Sequence, residues 1–149
     1  MFVVNSDWFF LSHRLPIAKK ALKEGYDVHL VTEITNKRKI LESYGICLHN
    51  LKIKRSTTSI IDNIFLFFNF IKIFNRIKAD LIHLVTIKPV LIGGLAAHFI
   101  IKSKRIVISV TGLGYIFIDK GTKAFFRRFI ITFLYRLVFT HNKLKVISF

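Results

Sequence analysis

Met1-Phe-Val-Val-Asn5-Ser-Asp7-Trp8-Phe-Phe-Leu-Ser-His13-Arg14-Leu-Pro16-Ile-Ala-Lys-Lys-Ala-Leu-Lys-Glu-Gly25 decides the fold. An apolar run opens it, a polar and aromatic segment follows, and an amphipathic helix closes it. Pro16 has no backbone N–H and is tolerated only in a first turn, so the helix is predicted to start no earlier than about His13. Gly25 is a good terminator after Lys23 and Glu24. This is the first β-loop-α unit of an open parallel sheet. In such sheets ligands sit beyond the carboxyl ends of the strands, where the strand order reverses. Residues 7–14 are therefore predicted to be a loop that walls a ligand cleft.

The same alternation continues downstream. Residues 26–32 and 46–53 read as strands two and three, separated by a short basic helix over 36–44 that Gly45 stops. Lys52, Lys54, Arg55, Ser56, Thr57 and Thr58 make a basic, hydroxyl-rich loop. Residues 60–78 form a long helix whose Asp62, Asn69, Lys72 and Arg76 make one narrow polar stripe among Ile, Phe and Leu. Residues 79–86, 105–111 and 145–149 read as strands four to six. The fifth is nearly all apolar, as a strand buried on both faces should be. Lys88-Pro89 opens the helix after strand four, and Gly93, Gly94, Ala96 and Ala97 give it a small face for close approach to the sheet. Residues 123–142 form the last helix. Strands alternating with such helices predict a three-layer α/β sandwich with a parallel sheet, for which the order 3-2-1-4-5-6 is assumed. A final strand with nothing after it predicts a truncated chain.

A length of 149 residues suits one domain, and 52% hydrophobic content with 16 Phe excludes a disordered tail. The net charge of +16 favours an anionic partner. Nucleic acid is disfavoured, because no recognition motif or aromatic strand platform accompanies the charge. Lone Cys47 rules out an intrachain disulfide and a multi-cysteine zinc site. It suits a reducing cytosol, and it is expected to be a small buried hydrophobe. No basic segment precedes the first apolar run, so no signal peptide is predicted. The longest uncharged apolar stretch, residues 90–101, falls short of the roughly 20 residues of a spanning helix, so membrane contact is expected to be peripheral.

Three turns, residues 5–11, 86–89 and 111–117, converge on the carboxyl edge in the assumed order. They and the helix start carry Asn5, Asp7, Trp8, His13, Arg14, Thr86, Lys88, Thr111, Gly112, Gly114 and Tyr115. His13 with Asp7 is a candidate acid/base or orienting pair, since a carboxylate fixes an imidazole's tautomer. Arg14 and Lys88 are candidates for holding a diphosphate. Trp8 offers an apolar platform, while Phe9 and Phe10 are expected to pack on the core. Gly112 and Gly114 permit close backbone approach to a ligand, but the pattern is not GxGxxG and no Walker A sequence exists. His29 and His83 read as core or edge residues, and scattered His without HExxH spacing gives no metal site. The last helix sets Lys123, Arg127, Arg128 and Arg136 among Phe125, Phe126, Phe129 and Phe133, a composition suited to an anionic bilayer surface.

Val3-Val-Asn-Ser-Asp-Trp-Phe-Phe-Leu-Ser-His-Arg-Leu-Pro16, His83-Leu-Val-Thr-Ile-Lys-Pro89 with Gly93-Gly94, and Ser109-Val-Thr-Gly-Leu-Gly-Tyr115 resemble the N-terminal domain of bacterial family 4 glycosyltransferases. The branch is the one acting on capsule, O-antigen and related surface polysaccharides. The resemblance implies a GT-B enzyme with two Rossmann-like domains, of which this is the N-terminal, acceptor-side one. It implies a sugar nucleotide, a UDP-sugar, held by a C-terminal domain whose two-glutamate motif this chain lacks, and hence inactivity of the chain alone. The implied acceptor is a glycan on a polyprenyl diphosphate at the cytoplasmic face of the inner membrane. The implied acceptor-binding residues are Asp7, Trp8, Arg14, Thr86, Lys88, Thr111, Gly112, Gly114 and Tyr115, with His13 as the catalytic candidate. Retaining members lack a clear protein base, which counts against proton transfer by His13. The alternative class is a non-enzymatic basic module that binds membranes peripherally.

Overall fold

Six parallel strands form one sheet in the order β3-β2-β1-β4-β5-β6. They are β1 (Phe2–Ser6), β2 (His29–Glu33), β3 (Cys47–Asn50), β4 (Leu81–Val85), β5 (Arg105–Val110) and β6 (Leu144–Ser148). A computed structural model of the protein describes residues 1–53, 59–100, 105–110, 132, 133, 136 and 144–148. The third predicted turn, with Thr111, Gly112, Gly114 and Tyr115, lies outside the described residues, as does most of the predicted last helix.

Alternate residues of one strand go to opposite faces, and both faces are covered. Val3, Val31, Ile82 and Leu84 pack on one side with Leu66, Phe70 and Phe74 of α4 (Ile60–Ile77) and with Ala96 and Ala97 of α5 (Gly94–Ile100). Phe2, Val4, Leu30 and Val85 pack on the other side with Phe10 of α1 (Asp7–His13), Ala18 of α2 (Leu15–Lys23) and Leu41 of α3 (Arg38–Ser43). The chain thus winds outward from β1 with helices on one face. It crosses over through α4 and winds outward again from β4 with α5 on the other face. The reversal point is the crevice between β1 and β4.

The first helix starts earlier than expected. Ser6 caps α1, its hydroxyl accepting from the Phe9 N–H at 3.4 Å, and Asp7 sits in the first turn where a carboxylate favours the positive helix end. Residues 7–13 are therefore helix and not loop. Pro16 still leaves its mark: with no N–H to donate to Ser12, the helix breaks at Arg14 (φ −123°) and restarts as α2. Gly25 (φ +83°) and Gly45 (φ +78°) end α2 and α3 in the left-handed region, as their positions predicted. Ser59 caps α4 by accepting from the Asp62 N–H at 3.3 Å.

After β4 the chain makes a π-helical turn, Pro89–Gly93, before α5. A Cβ on Gly93 would meet Leu84 Cδ2 at 3.3 Å, so any larger residue here would have to push that side chain aside by a few tenths of an ångström. Cys47 is exposed, contrary to expectation, because it opens an edge strand whose ends both face solvent. Among the described residues no helix is long and apolar enough to cross a membrane.

Candidate functional site

At the reversal point both central strands end irregularly. β1 pairs Val3 with Val31 but Ser6 with Glu33, so one extra residue is accommodated on the β1 side. β4 ends at Val85, and the φ of +72° at Thr86 just after it is left-handed, an unfavourable conformation for a β-branched residue. The Thr86 carbonyl accepts from the Val90 N–H at 3.0 Å, which ties it into the π-helical turn. Val3 pairs with Leu84 across these strands, and two residues further on stand Asn5 and Thr86. Asn5 Oδ1 and Thr86 Oγ1 are both buried with no hydrogen-bond partner among the described residues. Leaving such a group unpaired costs about 1–3 kcal/mol. Backbone strain and two partnerless buried polar atoms thus meet at adjoining strand ends, on the edge where open parallel sheets take their ligands.

The candidate residues divide into structural and open groups. Asp7 is fully buried, and its carboxylate accepts from the Trp8 N–H (2.7 Å), the Thr35 N–H (2.7 Å) and the Thr35 hydroxyl (3.0 Å). It ties the β1 end to the loop after β2. Asp7 and His13 stand at opposite ends of α1, about 9 Å apart along the axis, so they do not form the predicted pair. His13 is exposed. Its Nδ1 lies 2.6 Å from Ser12 Oγ, and its ring stacks on Phe9 at 4.2 Å. Trp8 is 62% exposed beside it, at 6.4 Å between ring centroids, whereas Phe10 is fully buried.

Arg14 is buried at the α1–α2 break, and burial lowers its pKa. Its charge acts on His83, which is buried mid-sheet against Phe2 and lies 2.7 Å from Ser109 Oγ on β5. Burial first, and then the Arg14 charge, push the His83 pKa down from 6.5 to about 4. Neutral His83 is thus a core residue, as its mid-strand place predicted.

On the α4 side of the same edge lies a half-open hollow of about 240 Å³. Lys52, beyond β3, and Lys88, in the turn after β4, line it together with the first turns of α4. Asn63 and Asn69 also line it, and Asn63 Oδ1 is a third buried oxygen without a partner among the described residues. Lys88 is the predicted residue here; Asn63 went unnoticed because nothing in an apolar run shows which way one amide turns. Phe65 is exposed at the rim of the hollow, and beyond it α4 exposes Ile60, Ile61, Ile64 and Phe68. The polar stripe predicted for α4 is interleaved with this apolar surface.

A separate cluster joins the β2–β3 edge to α4. Arg76 Nη2 donates to His49 Nδ1 (3.0 Å), so neutral His49 carries its proton on Nε2 and donates that to His29 Nδ1 (3.0 Å). Burial lowers the pKa of both imidazoles. The register that sets His49 beside Val31 and Cys47 beside His29 is a tertiary fact, and no local spacing announces it. Among the described residues no three His, Cys, Asp or Glu side chains gather to hold a metal.

The family described as "Glycosyl transferase 4-like" matches the chain over residues 1–147. No curated protein sequence matches it. Among solved structures, MurG of Acinetobacter baumannii is similar, with a TM-score of 0.55 and 18% identity over 86% of this chain and 38% of that one. A UDP-N-acetylglucosamine 2-epimerase is similar with a TM-score of 0.56 and 14% identity, over 95% of this chain and 39% of the other. The chain thus spans about two fifths of the length of these structures, and it shares with them a Rossmann-like α/β fold.

Proposed function

Because the chain belongs to the Glycosyl transferase 4-like family, we propose that it supplies the acceptor-binding side of a sugar-nucleotide-dependent glycosyltransferase of bacterial surface-polysaccharide assembly. The acceptor is a glycan on a polyprenyl diphosphate, met at the anionic inner face of the cytoplasmic membrane. The UDP-sugar is held by a second Rossmann-like domain facing this edge, and these 149 residues alone do not turn over. The observation that carries the reading is the exposed row Ile60, Ile61, Ile64, Phe65 and Phe68, which begins where α4 leaves the ligand edge. A lipid-carried acceptor has to be taken from a bilayer, and this places an apolar surface beside Lys52 and Lys88 in a chain of net charge +16. Trp8 and His13, exposed on α1, together with Arg14, Thr86, Thr111, Gly112, Gly114 and Tyr115, are the proposed further acceptor contacts. His13 is the candidate for exchanging a proton with the acceptor hydroxyl.

Co-sedimentation with anionic vesicles, with and without a polyprenyl-diphosphate disaccharide, tests this. Binding should be stronger with the glycolipid and weaker in high salt. Phe65→Ser with Phe68→Ser should weaken it by at least about tenfold, since burying each ring contributes roughly 1.5–3 kcal/mol. Equal binding to both vesicle types would favour the non-enzymatic membrane module instead.

A further inference from the structure

Helical spacing clamps the His13 ring at the end of α1. Residues four apart share a helix face, so His13 stacks on Phe9, with centroids 4.2 Å apart and planes within 9°. The stack sets the plane of the imidazole, and Ser12 engages its Nδ1. Ser12 Oγ lies 2.6 Å from His13 Nδ1, 3.1 Å from the Trp8 carbonyl oxygen and 3.2 Å from that of Phe9. His13 Nδ1 is itself 3.3 Å from the Phe9 carbonyl oxygen. A carbonyl oxygen only accepts, whereas a neutral imidazole donates from one nitrogen and accepts at the other. With its proton on Nδ1, His13 donates to Ser12 Oγ, and the Ser12 hydroxyl donates in turn to a helix carbonyl. With the proton on Nε2, Ser12 has to donate to Nδ1, both carbonyls lose that donor, and the Nδ1 lone pair faces the Phe9 oxygen. The first arrangement makes one hydrogen bond more and avoids one repulsion. It leaves Nε2 as a bare acceptor on an exposed side chain, where none of the described residues bonds it.

We infer that Ser12 is a positioning residue, which holds His13 in the Nδ1–H tautomer so that Nε2 stands ready to accept a proton beside Trp8. A histidine side chain free in water favours the opposite tautomer, and an Nε2–H can only donate to a hydroxyl that has to give up its proton. The orienting partner expected of Asp7 is thus supplied by the residue next to the imidazole, since Asp7 stands at the other end of α1. The inference rests on the acceptor-side reading only for the identity of the proton donor, an acceptor hydroxyl. Its proton passes to Nε2 as its oxygen attacks the sugar. The imidazolium that forms keeps its Nδ1–H on Ser12 Oγ, so no second proton has to move.

Imidazole nitrogen NMR of the chain in mildly alkaline buffer is the direct test. His13 should show Nδ1 as the protonated nitrogen and Nε2 as the bare one. Ser12 is exposed and alanine is the better helix former, so Ser12→Ala should fold. It should move the His13 tautomer ratio towards Nε2–H by about fivefold, as the loss of one hydrogen bond predicts. Ser12→Thr keeps the hydroxyl and should restore the wild-type ratio. Ser43→Ala on α3, which removes a hydroxyl bonded to the Ile40 carbonyl, should leave His13 unchanged. An Nε2–H imidazole in the wild type would overturn the inference. So would a Ser12→Ala variant that loses Tm without a change of tautomer, since that is what a merely structural serine does. Addition of a polyprenyl-diphosphate disaccharide in nanodiscs separates this from the acceptor-side reading. A shift of the Nε2 signal agrees with both, whereas an unmoved signal keeps the role of Ser12 and refutes His13 as the residue that meets the acceptor.

Discussion

Acidification should destabilise this protein through His83 before most carboxylates titrate. The unfolded chain takes up a proton at this imidazole below about pH 6.5, whereas the native imidazole stays neutral until about 4. Between those values the unfolded state binds more protons, so stability rises with pH: the contribution is complete above 6.5 and is lost as pH falls towards 4. The full shift corresponds to about 3 kcal/mol, of which about 2 kcal/mol is lost by about pH 5. That is a large share of the roughly 5–15 kcal/mol that holds a typical domain together. Urea unfolding of the wild type and of His83→Gln, across the range from neutral to about pH 5, isolates this contribution. Glutamine keeps a hydrogen-bonding group near Ser109 but does not titrate, so its stability should fall by about 2 kcal/mol less over that range. Parallel curves for the two proteins, or a His83 ring signal titrating near its ordinary midpoint, would refute the argument.

The His49–His29 hydrogen bond should fail in the same direction, since both pKa values are lowered. His49→Gln should therefore flatten part of the remaining pH slope, as read by the same unfolding curves. Asp7→Ala strands the Thr35 and Trp8 donors and should cost about 3 kcal/mol, or roughly 10 °C in Tm. A loss of ligand binding with Tm unchanged would mean that Asp7 faces the ligand after all. Thr86→Gly relieves a left-handed backbone and should raise stability by about 1 kcal/mol in thermal melts. Gly93→Ala brings a Cβ to 3.3 Å from Leu84 and should lower it by about 1 kcal/mol.

The sheet was legible in the chain because its signals are local. Apolar runs such as Ile106 to Ile108 mark strands covered on both faces, and Gly25 and Gly45 end helices at the predicted places. The strand order was an assumption taken from open parallel sheets of this kind, and the sheet has that order. Three things were hidden. Pro16 masked α1, because a proline that breaks a helix reads like one that begins it; the Ser6-Asp7 cap was the signal that could have found it. Edge position exposed Cys47, which its apolar character argued against. The hollow and the His49–His29 bond depend on helix rotation and strand register, which no single stretch of sequence specifies.

The carboxyl edge of the sheet is the ligand edge in this account, and amide NMR with a polyprenyl-diphosphate disaccharide in nanodiscs tests that most directly. The perturbed amides should be those of Asn5, Thr86, Lys88 and Lys52, with Asp27, Gly45 and Asp80 at the amino edge unmoved. Perturbation centred on Asp27, Gly45 and Asp80, with the carboxyl edge silent, would contradict it.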